Sequence, residues 1–173
     1  SEGIVHPTTG GPVSAWYANM YRGISSCNFF LDNIDRVEGI DANVKKQYIA
    51  EVKFLRAWHY FLLQQTYGGV IIYSSVPPTV DDAKIKQSTS QQVIDFILED
   101  INAAIPDLPN TVYQGRIVKN SAYAFKAKVL LHTQQWAAAA NEAKNVISSG
   151  LCTLYPNYRD LFLSAAQKNN PSE

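Results

Sequence analysis

Methionine occurs once and cysteine twice in 173 residues. No apolar run approaches the roughly 20 residues that a membrane-spanning helix needs. Cys27 and Cys152 lie far apart, fit no metal-ligand spacing and sit in apolar surroundings, so they read as free buried thiols. Neither sign of charge has a surplus: Lys+Arg and Asp+Glu are 15 each. That balance speaks against gripping nucleic acid by phosphate neutralisation, and against a polybasic membrane-surface binder. Charged residues are only 17% while hydrophobic residues are 46%, a composition that buries a core without disulfide staples. Catalytic signatures are missing as well: no phosphate-cradling glycine loop, no HExxH, no GxSxG, no CxxC. His6, His59 and His132 have no ligand spacing, and neither a metal nor a cofactor is expected. The acidic neighbours Asp81-Asp82 and Glu99-Asp100 project to different sides of a helix and read as solvated charge, not as a shared acid/base pair. The chain opens Ser1-Glu2-Gly3 without a basic or apolar leader. It closes on polar Asn169–Glu173, which reads as a cut inside a loop. The expectation is a single helical domain over 1–173 that is a piece of a longer chain.

Aromatic residues are plentiful, at 12%, with ten tyrosines, seven phenylalanines and three tryptophans. Helical periodicity organises most of them. Residues 1–13 read as a Gly/Pro-rich loop. Tyr17, Met20, Ile24, Cys27, Leu31 and Ile34 then form one apolar stripe, predicting a helix over 14–38 with Ser14 as N-cap and Gly39 as its end. Asp41 caps a second helix, about 41–67. Between Phe54 and Leu63 only Arg56 and His59 are polar, so that helix must be covered on most sides. Arg56 then needs a partner, either Glu51 or a carboxylate from a neighbouring helix. Gly68-Gly69 terminates the helix. Val70–Val76 is the one strand-like run, and a single strand cannot make a sheet. Ile94, Ile97, Ile101, Ala104 and Leu108 mark a third helix, stopped by Pro106. Asn120 is placed as the cap of a fourth, about 120–134. Trp136, Ala139, Ala143 and Val146 carry a fifth, ended by Gly150, and Asn157 starts a last short turn. The fold class is all-α, built of antiparallel helix pairs. Ala127, Leu130, Trp136 and Ala139 match the spacing of a tetratricopeptide helix–turn–helix unit, with Trp136 expected between the helices.

Five stretches, in order, carry a family resemblance. Ala50-Glu51-Val52-Lys53-Phe54-Leu55-Arg56-Ala57-Trp58-His59-Tyr60-Phe61, followed by Tyr67-Gly68-Gly69-Val70, resembles the signature helix of the SusD/RagB family. Tyr21-x-x-Ile24-x-x-Cys27-Asn28-x-x-Leu31 resembles the helix before it. Ile97-x-x-Asp100-Ile101-x-x-Ala104 with Leu108-Pro109 resembles the helix after it. Gly115-Arg116-Ile117-Val118-Lys119-x-x-Ala122 resembles the family's entry to the fourth helix. Trp136-x-x-Ala139-Ala140 through Gly150, with Tyr158-Arg159-Asp160-Leu161-Phe162, resembles the last helix and its exit. Ile71 stands where members often have proline, a change confined to a loop.

The resemblance implies a tetratricopeptide-like α-α superhelix and a binding protein, not an enzyme. It implies a lipid-anchored protein of the outer-membrane surface that captures an oligosaccharide, or in some members a peptide. The ligand then passes to a TonB-dependent, SusC-like transporter. Nucleic acid is not an expected partner. Sugar recognition needs flat rings and hydrogen-bonding side chains. On that basis His6, Trp16, Tyr113 and Arg116 are the candidate glycan-binding residues, with Trp16 alternatively packing in the core. Asn28, Glu51, Phe54, Leu55, Arg56, Tyr60, Gly68, Gly69 and Trp136 are the family's structural motif. The competing reading is a free-standing tetratricopeptide module gripping a peptide or helix in a concave groove.

Overall fold

The computed structural model describes residues 11–112 and 115–162. Five α-helices occur among them: α1 (Pro12–Asn33), α2 (Ala42–Tyr67), α3 (Ser90–Ala104), α4 (Lys119–His132) and α5 (Trp136–Ser149). The described residues hold no strand. The expected all-α class and its five helices are thus present. The chain packs as two compact units, residues 1–100 and 101–173.

In the first unit α1 lies antiparallel along α2. Tyr17 meets Tyr67 at 5.1 Å between ring centroids, and Asn28 meets Arg56 at the other end. α1 starts earlier than its sequence suggests. Proline at the first helical position needs no partner for the amide it lacks. Gly11, at φ +92°, therefore turns the chain into the helix, and Ser14 lies inside, its hydroxyl donating to the Gly11 carbonyl. The end is earlier too. The helix stops at Asn33, and a 3₁₀ turn over Ile34–Arg36 leads to Gly39. Ile24, Cys27 and Ile34 of the expected stripe are buried, and Tyr17, Met20 and Leu31 are half-buried.

Asp41 caps α2 as expected, accepting from the amides of Asn43 and Val44 at 2.8 and 3.0 Å. Phe54, Arg56, Ala57, Tyr60, Phe61 and Leu63 are buried, as the apolar run demands, while Leu55 faces outward. Gly68 ends α2 at φ +72°, a backbone angle open to glycine. Gly69 is required for a different reason: a Cβ there would stand 2.3 Å from the Ser88 carbonyl oxygen. α3 opens with a reciprocal pair. The Thr89 hydroxyl accepts from the Gln92 amide, and the Gln92 side chain accepts from the Thr89 amide. Its whole predicted stripe is buried, and Pro106 sits in the 3₁₀ turn just after Ala104.

In the second unit α4 and α5 form an antiparallel hairpin. Lys126 pairs with Glu142 at 2.5 Å near its middle, and Asn120 reaches Ser149 at its open end. Asn120 is therefore not the cap. Val118 holds that position, and the Asn120 amide instead donates across the hairpin at 2.7 Å, where it is buried. Gly150 closes α5 in the left-handed conformation at φ +66°. At the final turn the Asn157 side chain accepts from the Arg159 amide, and its carbonyl accepts from that of Asp160. Trp136 corrects its expected place: it is 61% exposed rather than wedged between helices. Ala139 alone of the predicted α5 positions is fully buried; Val146 is half-buried, and Trp136 and Ala143 are exposed. Trp136, Ala140, Ala143 and Ile147 recur every three or four residues and make an exposed apolar stripe.

Candidate functional site: a tyrosine-walled groove

The strand-like run 70–76 has no neighbouring strand, so its polar backbone groups must be satisfied some other way. Side chains of α1 and α2 do most of this. Tyr21 donates its phenol to the Ile71 carbonyl at 2.7 Å. The Tyr60 hydroxyl accepts from the Tyr73 amide at 2.7 Å and donates to the Tyr73 carbonyl at 3.1 Å. Asn28 donates to the carbonyls of Tyr73 and Ser75 at 2.8 and 3.3 Å. Arg56 donates to the Ser74 carbonyl at 2.8 Å, and Asp32 accepts from the Val76 amide at 2.8 Å. The Ser88 amide holds the Val70 carbonyl from the far side.

Arg56 is the hub. Its Nε and Nη2 donate to the two Asp100 oxygens at 2.7 and 2.8 Å, a bidentate fork, and its Nη1 donates to Asn28 Oδ1 at 2.8 Å. The Phe96 ring lies 5.0 Å from the guanidinium carbon. Burial works against the Arg56 charge, but the hydrogen bonds and field of Asp100 outweigh it and hold its pKa above the ordinary value. Of the two expected partners the neighbouring helix supplies the carboxylate, while Glu51 accepts from Gln47. Asp100 is accordingly not a solvated charge: it is 4% exposed, turned inward from Glu99 by the helical rotation between them. Burial also raises the Tyr60 and Tyr21 phenols, the latter helped by its hydrogen bond with Tyr17, so both stay neutral.

This bracing leaves a groove between α1 and the pinned segment. Tyr17, Ala18, Tyr21, Arg22, Ser25, Ile71 and Tyr73 line a space of about 580 Å³. A smaller recess of about 210 Å³ continues it past Ser25 and Asn28 to Pro77. Tyr17, Tyr21, Ser25 and Asn28 fall at helical intervals of four, four and three, so one face of α1 forms the wall. The rings are set at angles: Tyr17 and Tyr21 are 4.7 Å apart and tilted, and Tyr21 meets Tyr73 edge-on at 5.9 Å. Along α1 the groove runs about 16 Å, from 1.5 Å per residue.

Of the sequence-derived site residues, the two described ones, Trp16 and Arg116, fall elsewhere. His6 and Tyr113 lie outside the described residues. Trp16 is on the first turns of α1 beside Tyr17, 42% exposed rather than packed in the core, and does not line the groove. Arg116 is exposed on the loop before α4, in the second unit. The groove residues Tyr17, Tyr21, Arg22, Ser25 and Tyr73 were not singled out from sequence. Tyr17 reads there as core, and the signal that would have found the rest is the unpaired backbone of 70–76. Among the described residues no cluster of His, Cys, Asp and Glu could hold a metal ion. No helix among them is long and apolar enough to cross a membrane.

The antiparallel pair α1 and α2, tied to Asp100 through Arg56, braces an aromatic groove in an all-helical scaffold. The profile of the SusD-like family described as starch-binding and associating with the outer membrane matches residues 5–131. The chain belongs to this SusD-like family. It is 32% identical over 157 residues to SusD-like protein P38 of Formosa agariphila, covering 88% of this chain and 30% of that protein. A SusD-like protein of Bacteroides fragilis superposes with a TM-score of 0.84 at 29% identity, over 91% of this chain and 32% of the other. A laminarin-binding SusD-like protein gives 0.83 at 26% identity, over 90% and 35%. The chain thus spans about a third of the length of the relatives it matches.

Proposed function

We propose that this chain captures an oligosaccharide at the outer-membrane surface and holds it for import, without transforming it. The tyrosine-walled groove carries the reading. Flat rings accept the apolar faces of pyranoses, and adjacent donors meet their oxygens. An open groove suits a linear chain of sugars better than one enclosed ring. Membership of a family described as starch-binding, and likeness to a laminarin-binding protein, support the glycan class. In the same proposal the protein is lipid-anchored and hands its ligand to a TonB-dependent, SusC-like transporter. His6, Trp16, Tyr113 and Arg116 are proposed as further sugar contacts.

Calorimetry on the intact protein against a panel of oligosaccharides tests this. Tyr17→Ala should weaken the best glycan about tenfold, on the order of 1.4 kcal/mol for one lost ring face. Binding of a peptide with failure of every glycan would overturn the assignment. So would glycan binding indifferent to Tyr17 and Tyr73.

A further inference from the structure

The groove lining carries one cation, Arg22, and no carboxylate. Asn28 spends its oxygen on Arg56 and its amide on two carbonyls. The Tyr21 and Tyr73 hydroxyls donate to the Ile71 and Ala83 carbonyls. The carbonyls of Ile71, Tyr73, Ser74 and Ser75 each already accept a hydrogen bond from the bracing side chains. The largest free group left to a ligand is the exposed Arg22 guanidinium, with the Ser25 hydroxyl one helical turn along. Arg22 donates only to the neutral Asn19 side chain, at 3.2 Å, and pairs with no carboxylate among the described residues. The one carboxylate of α1, Asp32, is occupied by the Val76 amide and does not line the groove.

The Tyr21 and Tyr73 oxygens, having donated their protons, keep lone pairs for a sugar hydroxyl, so the group that discriminates between neutral and charged sugars is Arg22. Arg22 is a cation with no carboxylate partner among the described residues, and a guanidinium can only donate. A carboxylate or sulfate only accepts, and matches the fork of an arginine in shape and charge. Resting on the glycan reading above, we infer that the groove selects an acidic oligosaccharide, with the carboxylate or sulfate of one sugar seated on Arg22 and Ser25 while neighbouring rings lie along Tyr17, Tyr21 and Tyr73.

The test pairs acidic glycans with their own neutral forms on the intact protein. The probes are a glucuronate-containing oligosaccharide with its carboxyl-reduced counterpart, and a sulfated oligosaccharide with its desulfated counterpart. At low salt one acidic member should bind about tenfold tighter than its neutral form, and the margin should shrink as salt rises. Whichever pair shows the margin names the anion. Arg22→Gln should bring the acidic ligand down to the affinity of its neutral counterpart. Because Arg22 is exposed, the far-ultraviolet circular dichroism should be unchanged. Equal binding of acidic and neutral forms, or a preference that survives Arg22→Gln, overturns the inference. If that charge-blind binding is still weakened by Tyr17→Ala, the glycan reading stands and only the anion preference falls. If no glycan of either kind binds, or only an acidic peptide does, both fall together.

Discussion

Arg56→Met is the sharpest test of how the groove is held in place. The substitution keeps an unbranched apolar stem and removes the charge and the donors. Asp100, whose side chain is 5% exposed, would then be a buried carboxylate without its partner. Asn28 Oδ1 and the Ser74 carbonyl would lose a donor each. Removing one member of a buried ion pair costs about 3–5 kcal/mol, since the surviving charge stays desolvated. For a chain of this size that is a fall in Tm of roughly 6–20 °C. Arg56→Met/Asp100→Leu removes the stranded charge as well, leaving only the two unpaired oxygens, and should be more stable than the single variant. Chemical denaturation of the three proteins gives the values. Hydrogen exchange gives the location: the Tyr73 and Val76 amides should exchange faster in the single variant, because the segment they brace loosens. A loss below about 1 kcal/mol would refute the reasoning, placing the pair with ordinary surface salt bridges. A double variant no better than the single one would refute it too.

Two further perturbations probe the same unit. A Cβ on Gly23 would stand 2.3 Å from His59 Nε2. Gly23→Ala should therefore destabilise by about 1–2 kcal/mol despite alanine's better helix propensity. In a His59→Ala background the same change should stabilise by up to about 1 kcal/mol; denaturation midpoints that fail to change sign would show that α1 and α2 do not touch there. Alkaline titration reads the buried phenols. Burial raises Tyr60 and Tyr21 above the ordinary tyrosine value, so the folded chain keeps protons that the unfolded chain releases. Their contribution is present below about pH 10 and is lost as pH climbs through the raised folded values. Stability should fall with pH above about 10, and Tyr60→Phe should flatten that fall; an unchanged slope would count against the burial.

Most of the scaffold is legible in the sequence because helical periodicity reports burial directly. The α3 stripe from Ile94 to Leu108 is buried at every position named for it. Caps are less legible, because a side chain that can cap can also bond elsewhere. Asp41 has nothing better within reach and caps, whereas Asn120 finds Ser149 across the hairpin and leaves the cap to Val118. Polar burial is read least well. Asp100 resembles any helical carboxylate until Arg56 is seen 2.7 Å away on another helix. Trp136 fails for a related reason: an aromatic at a packing period marks an apolar face, and whether anything covers that face is a tertiary fact.

The groove was hidden for a reason that also explains the family motif. Its walls are tyrosines, which at helical spacing look like core, and its floor is a loop whose shape no local preference dictates. What shapes the loop is Arg56 and Asn28, two buried polar residues that bond its backbone. Arg56 alone could neutralise Asp100, and a buried pair of that kind is a weak source of stability. Its remaining donor makes the difference. By fixing Asn28, whose amide then reaches Tyr73 and Ser75, and by taking Ser74 directly, the pair turns a segment that cannot form a sheet into a rigid edge. Arg56 and Asn28 are therefore better understood as bracing for the edge of the groove than as core packing. Arg22 and Ser25, on the open face of α1, take no part in that bracing. Under the proposed glycan function, they can change without disturbing the frame.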